Sequence, residues 1–486
     1  MKTILHSIIL LSLFFTHLFA AEINIPTNID SIILAKMDQY HFPGLQACIV
    51  KNDSIIWKGV YGYADISSNK LVTDSTLFYL ASLSKPVTGT AIMQLWEEGL
   101  FGLDDDINNY LPFSVRNPSY PNNSITFRML LTHTSGIVDN WSVLDPLVTW
   151  GMDYPDSLGS FINNYLTPGG NHYTSNNWSV YAPGSKYLYS NVGITIIGLL
   201  VEILADTSFE NYCQDSIFLP LGMNETSWFL ANLNPNHIAT PYIYSGVNYT
   251  PNQHWGEPIF PGIQLRTSAT QLSNFLSMFI QMGKFQNTIM LDSSTVALMT
   301  TVQNPILDPY MAITWPVFNW NLPNVGNRFL CGYMGARKFG ANTCFGYVME
   351  TGENIGCTVL ANREYSDQFG NFGIVDIFSE LLAYGLLITG FEKNETDLPL
   401  EYTLKQNYPN PFNPLTTIEF SLPKSGDVEL KVFNLLGQEV STLVSKKLNQ
   451  GKHTYTFDGK NLASGIYYYQ LVAGDYREVK KMILLR

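Results

Sequence analysis

The chain has 486 residues, of which 46% are hydrophobic and 13% aromatic; this excludes a mostly disordered protein and allows two or three domains, each with its own core. Only 14% of residues are charged, so Asn, Ser, Thr and Tyr must form much of the surface. The net charge of −13, with no clustered Lys/Arg, excludes a non-specific nucleic-acid binder, because phosphate contact needs concentrated positive charge.

Met1-Lys2-Thr3 followed by the apolar run Ile4 to Ala20 reads as a secretory signal peptide over residues 1–20, with small residues at Ala20-Ala21 for cleavage. Strands are predicted at Leu45–Val50 and Ser54–Tyr61, separated by the turn Lys51-Asn52-Asp53. A long helical and loop-rich stretch follows, from Leu77 to Met282. Within it Val192–Ala205 is strongly apolar but short, which suits a buried helix; no segment beyond the start is expected to span a bilayer. Strand signals return at Thr343–Met349 and Gly356–Asn362, joined by the turn residues Glu350–Asn354, and Ile374–Ile388 reads as a closing helix. Strands at both ends with helices between them predict one α+β domain over residues 25–392, its sheet completed by its own two ends.

Residues 393–403 are expected to be a linker. From Glu401 onward basic residues outnumber acidic ones, the reverse of the strongly acidic body, and short alternating segments such as Val428, Leu430 and Val432 recur between turn signals. A small Ig-like β-sandwich over residues 404–486 is predicted. The five cysteines are far apart and mostly inside apolar runs, so buried thiols are expected, although Cys344 and Cys357 flank the second hairpin turn and could bridge in an oxidising compartment. The eight histidines show no ligand spacing, so neither a metal nor another cofactor is expected.

Three S-x-x-K patterns occur: Ser67…Lys70 in a polar turn, Ser421…Lys424 around Pro423, and Ser82…Lys85. Only the last opens a helix. Val87, Ala91, Ile92 and Leu95 follow at helical spacing up to Gly99, and Pro86 fits the first turn, where its missing N–H has no partner to lose. Ser82 then sits at a helix N-terminus, where the dipole favours oxyanion charge, and Lys85 shares its face. A lysine held there among apolar neighbours can have a lowered pKa and act as, or assist, a base. Tyr189-Ser190-Asn191 follows the turn Pro183–Lys186 and precedes the helix Val192–Ala205; Tyr120…Asn122 and Tyr408…Asn410 match the same pattern but are broken by proline. Near the lysine charge the Tyr189 phenol should have a lowered pKa and serve as a base toward Ser82, while Asn191 offers its amide to a substrate carbonyl. Each pattern alone is better read as a solvated lysine or a packing tyrosine. Together they supply nucleophilic acyl transfer without a His/Asp pair.

The segments Asp74–Lys85, with Ala91–Leu95 and Leu103–Asp106, then Ile125–Ile137, then Pro183–Gly193, resemble the class C β-lactamase-related serine hydrolases, a resemblance spanning roughly Ile32 to Leu387. It implies a β-lactamase/transpeptidase-like fold, Ser82 as nucleophile, Lys85 and Tyr189 as proton-transfer partners, Asn191 as substrate contact and His133 as a structural turn residue. The family includes β-lactamases, D-alanyl-D-alanine carboxypeptidases, D-aminopeptidases and esterases. Relatives carry Lys-Thr-Gly or His-x-Gly on the strand lining the cleft, and the counterpart here is Tyr333-Met334-Gly335. Gly335 would let substrate approach the strand, and the N–H groups of Ser82 and Ala336 would form the oxyanion hole. Tyr333 cannot supply the cation that receives a substrate carboxylate; Arg337 or Lys338 are the replacements in reach. An uncharged ester or amide is thereby favoured over a β-lactam or D-Ala-D-Ala peptide.

The segment Val138–Ala182 is expected to roof the cleft, its Trp141, Trp150, Tyr154, Tyr173 and Trp178 fitting either an apolar substrate or packing. In the tail, Tyr408–Pro414, Val432–Val440 and Leu462–Tyr467 resemble the C-terminal sorting domain of type IX secretion substrates, which implies export through that machinery to the medium or cell surface. The leading expectation is a secreted serine acyl hydrolase acting on an ester or amide. The alternatives are a catalytically weakened, penicillin-binding-like sensor or binding module, and a surface adhesin built on a hydrolase scaffold.

Overall fold

A computed structural model of the chain describes residues 28–364, 373–390 and 401–485. The expected signal peptide and most of the expected linker lie outside these residues. Helix α1 (Ile29–Gln39) starts where the Asn28 side chain accepts from Ser31 N at 3.1 Å, and it buries Ile29, Ile33 and Met37 along one stripe. Strands β1 (Gly44–Lys51) and β2 (Ser54–Asp65) form the first hairpin. After α2 (Ser84–Glu97), α3 (Asn191–Ala205) and α4 (Ala269–Ile280) come β3 (Val317–Leu322), β4 (Gly326–Arg337), β5 (Ala341–Val348), β6 (Ile355–Ala361) and α5 (Gly373–Gly390).

The sheet runs β3-β4-β5-β6-β1-β2, with Lys70–Leu71 at the far edge, and each pairing is antiparallel. The two ends of the domain meet at its centre, where Cys48 lies opposite Thr358. Strand β1 is buried on both faces, so its sequence does not alternate. One face, through Leu45, Ala47 and Ile49, packs on α1 and α5. The other meets the helical region, with Val87, Ile197, Leu276, Trp315 and Phe345 in one core. Helix α5 is long and apolar enough to cross a membrane, contrary to the expectation that no later segment is. Its Ile374, Ile377, Phe378, Leu381 and Leu382 are instead buried against the sheet. Cys344 and Cys357 are buried free thiols rather than a bridge, as are the other three cysteines.

The C-terminal strands are β7 (Leu415–Leu422), β8 (Gly426–Asn434), β9 (Glu439–Leu448), β10 (Gly451–Asp458), β11 (Gly465–Ala473) and β12 (Tyr476–Leu484). One sheet holds Thr403–Leu404, β7 and β10, the other β9-β8-β11-β12. Ile418, Phe420, Val432, Tyr469, Leu471 and Met482 share the core between them, which makes this a β-sandwich as expected.

Candidate active site

The Ser82 turn is strained and heavily braced. Ala81, just before Ser82, has φ +49°, in the left-handed region that a residue with a Cβ seldom adopts. Ser84 Oγ donates to Ala81 O at 2.7 Å and accepts from Leu265 N at 3.1 Å. From the sheet side Thr343 Oγ1 donates to Leu80 O at 2.7 Å. Such bracing is what keeps a costly conformation in place. Gly335 takes part in it: a Cβ there would lie 2.2 Å from Leu80 O and 2.4 Å from Thr343 Oγ1. Its missing side chain therefore lets β4 press against the Ser82 turn, whereas the sequence suggested room for the substrate.

At the second residue of α2, one turn after Ser82, Lys85 is completely buried. Its Nζ donates to Asn191 Oδ1 at 2.6 Å, Gly262 O at 2.8 Å and Ser82 Oγ at 3.1 Å. Burial pulls its pKa down to about 7, against the charge of Asp139, with Arg337 adding to the fall. Asp139 is the residue sequence reasoning missed. It sits at the N-terminus of α3 and accepts from Asn191 N at 2.8 Å, Val192 N at 3.0 Å and Asn191 Nδ2 at 2.7 Å. Burial pushes its carboxyl up, while these donors and Lys85 pull it back. Nothing local marks Asp139, because its partners come from a helix start 52 residues later. Asn191 thus bridges Lys85 and Asp139. Only one amide orientation serves both, and one amide hydrogen is left over.

Tyr189 OH lies 2.7 Å from Ser82 Oγ, and Lys85 Nζ sits 4.8 Å from the centre of the Tyr189 ring. The phenol pKa is raised by burial, which outweighs its hydrogen bonds to Ser82 and Tyr333. This corrects the expectation of a lowered value: the lysine faces the ring, and a lysine that is readily neutral offers little charge. His133, buried and left-handed at φ +56°, packs against Tyr189 at 4.5 Å and accepts from Ser190 N at 3.3 Å. Burial, followed by the Lys85 charge, drops its pKa to about 3, so the ring is neutral.

Tyr333 OH donates to Tyr189 OH at 3.5 Å. Arg337 Nε donates to the buried Glu257 at 2.9 Å and Nη2 makes a second bond to it, while Lys338 pairs with Asp145 at 2.6 Å. Both expected replacements are therefore already held by carboxylates. Ser82, Lys85, Tyr189, Asn191 and Tyr333 converge, and β4 carries Gly335 and Ala336 alongside the Ser82 turn. The segment 138–182 contributes Asp139 and places Trp141 over Arg337 at 4.7 Å; Trp178 packs into the core.

The sequence model of the Beta-lactamase family matches residues 29–380. The chain belongs to this family. Residues 406–485 match the secretion system C-terminal sorting domain, the mark of type IX export to the cell surface or beyond. Protein flp of Staphylococcus aureus strain N315 is 29% identical over 219 residues, 45% of this chain and 41% of that protein. The chain thus matches about two fifths of such relatives' length. Among solved structures, EstCE1, described as a hydrolase with promiscuous acyltransferase activity, superposes with a TM-score of 0.57 at 19% identity, covering 72% of this chain and 97% of that one. A class C beta-lactamase gives 0.55 at 18% identity, covering 76% and 96%. At these identities the likenesses are of fold.

Proposed function

We propose that the protein is an exported serine acyl hydrolase that forms an acyl-enzyme on Ser82 from an uncharged ester or amide. The observation that carries this reading is the dual contact of Ser82 Oγ, with Lys85 Nζ at 3.1 Å and Tyr189 OH at 2.7 Å. Neutral Lys85 keeps two N–H bonds, for Asn191 Oδ1 and Gly262 O, and turns its lone pair to Ser82. As Ser82 Oγ bonds to the substrate carbonyl carbon, Lys85 takes its proton. Tyr189 OH gives a proton to the departing oxygen or nitrogen and is reprotonated from Lys85. Water then cleaves the acyl–Ser82 bond and releases the acid. The N–H groups of Ser82 and Ala336 hold the oxyanion, and the remaining amide hydrogen of Asn191 meets the substrate. Boundaries at 25–392 for the hydrolase and 404–486 for the sorting domain, after removal of residues 1–20, complete this reading.

The test is intact mass after incubation with a fluorophosphonate and, separately, a penicillin. The expected result is one fluorophosphonate adduct on Ser82, absent from Ser82→Ala, with little stable penicillin adduct because Tyr333 offers no cation to the penicillin carboxylate. No adduct from either reagent would overturn the acyl-enzyme reading and favour the binding-module alternative.

A further inference from the structure

A cavity of about 340 Å³ opens beside the reacting groups, between Tyr187, Tyr189 and Tyr333 on one side and Phe318, Val375 and Phe378 on the other. It reaches through the edge of the sheet, which explains why residues of both faces line it. The β3–β4 pairing ends at Val317 opposite Cys331, so β4 beyond Gly332 has a free edge there. Consecutive side chains of β4, Tyr333 and Met334, point to opposite faces and both border the space. Among the described residues no charged side chain lines it. Its size is in the range of small-molecule pockets and about twice the roughly 150 Å³ that accommodates a benzene ring.

Its position relative to the proposed chemistry decides which half of a substrate would enter. The lining includes Tyr189 and Tyr333 but not Ser82, Asn191 or Ala336. On the mechanism proposed above, on which this inference rests, the atom that leaves the acyl carbon must come within reach of Tyr189 OH to take its proton. The chain attached to that atom is therefore the one directed into the cavity, while the acyl half lies toward Ala336 and the far end of β4. We propose that the substrate is an ester whose alcohol half is apolar, of about six to ten carbons, and that this pocket selects it. The ester C–O bond breaks, the acyl group passes to Ser82 Oγ, and the apolar alcohol leaves with the proton delivered by Tyr189. Water completes hydrolysis of the acyl-enzyme.

Two substrate series test this with the full-length protein: acetates of straight-chain alcohols and ethyl esters of straight-chain acids, each followed by acid release. Along the alcohol series kcat/KM should rise about fourfold per methylene until the cavity is full. Along the acid series it should stay nearly flat. Val375→Trp, at a half-buried lining position outside the proposed catalytic set, should cut the octyl-to-ethyl acetate ratio by at least about tenfold while ethyl acetate turnover stays within about threefold. Phe318→Ala should move the optimum to longer alcohols, a gain that misfolding cannot produce. A rise along the acid series, or an alcohol series that is flat or unmoved by both variants, would overturn the inference while fluorophosphonate labelling of Ser82 still upheld the hydrolase reading. Absence of both turnover and labelling would overturn the two together.

Discussion

Lys85→Met is expected to lower the acylation rate on a short ester by about a thousandfold or more at pH 8, roughly 4 kcal/mol of transition-state stabilisation. Methionine fills the buried channel with similar volume but has no lone pair for the Ser82 proton. The loss should fall on the chemical step, because Lys85 is completely buried and touches Ser82, Asn191 and Gly262. Pre-steady-state release of p-nitrophenol measures it directly, with circular dichroism to show that the sheet and helices remain. A loss of less than tenfold would mean that another group removes the proton.

Tyr189→Phe should slow acylation by at least about a hundredfold when the leaving group is an aliphatic alcohol, the scale of general acid–base assistance. With p-nitrophenolate, which departs without a proton, the loss should be much smaller. The contrast follows from the raised pKa of the phenol, which makes it a carrier of protons and a poor stand-alone base at neutral pH. An equal loss with both leaving groups would instead assign Tyr189 to proton removal from Ser82. An unchanged rate with the alkyl ester would exclude it from the reaction.

The sequence revealed those parts of this site that are local. Ser82 and Lys85 share one helical turn, Pro86 marks its start, and Tyr189-Ser190-Asn191 abuts an apolar helix whose observed limits, Asn191–Ala205, differ from expectation by one residue. The central strands were legible for the same reason: β1, β5 and β6 are short apolar runs between turn residues. Strand β4 was placed around Tyr333–Gly335 by resemblance alone, because Gly326–Arg337 mixes Asn, Arg and three glycines with large side chains and shows no alternation. Helix α1 was also missed, its short stripe of Ile29, Ile33 and Met37 lying among the polar and charged Asp30, Ser31, Lys36 and Asp38.

What remained hidden is long-range electrostatics. Asp139 acquires its meaning only when α3 places two backbone N–H groups and the Asn191 amide around it. The expectation for Tyr189 failed in the same way. Proximity to a lysine suggested a lowered phenol pKa, but desolvation at the lysine ammonium and at the phenol hydroxyl, though the Tyr189 ring keeps an exposed flank, reverses the balance by making the lysine readily neutral and the phenolate costly. Arg337 and Lys338 likewise looked available as cations until Glu257 and Asp145, 80 and 193 residues away in the chain, were seen to hold them.

Activation of Ser82 by a neutral Lys85 is the step on which the proposed chemistry depends. Its pKa lies below that of an ordinary lysine, so the neutral, reactive fraction grows as pH rises through about 7 and is nearly complete by about pH 9. The most direct measurement is the rate of Ser82 labelling by a neutral fluorophosphonate between pH 5 and 11. The expected profile climbs about tenfold per pH unit below 7, bends near 7 and stays level above 9, and the limb is missing in Lys85→Met. A profile that is flat through neutrality, or that keeps rising until about pH 10, would contradict the account.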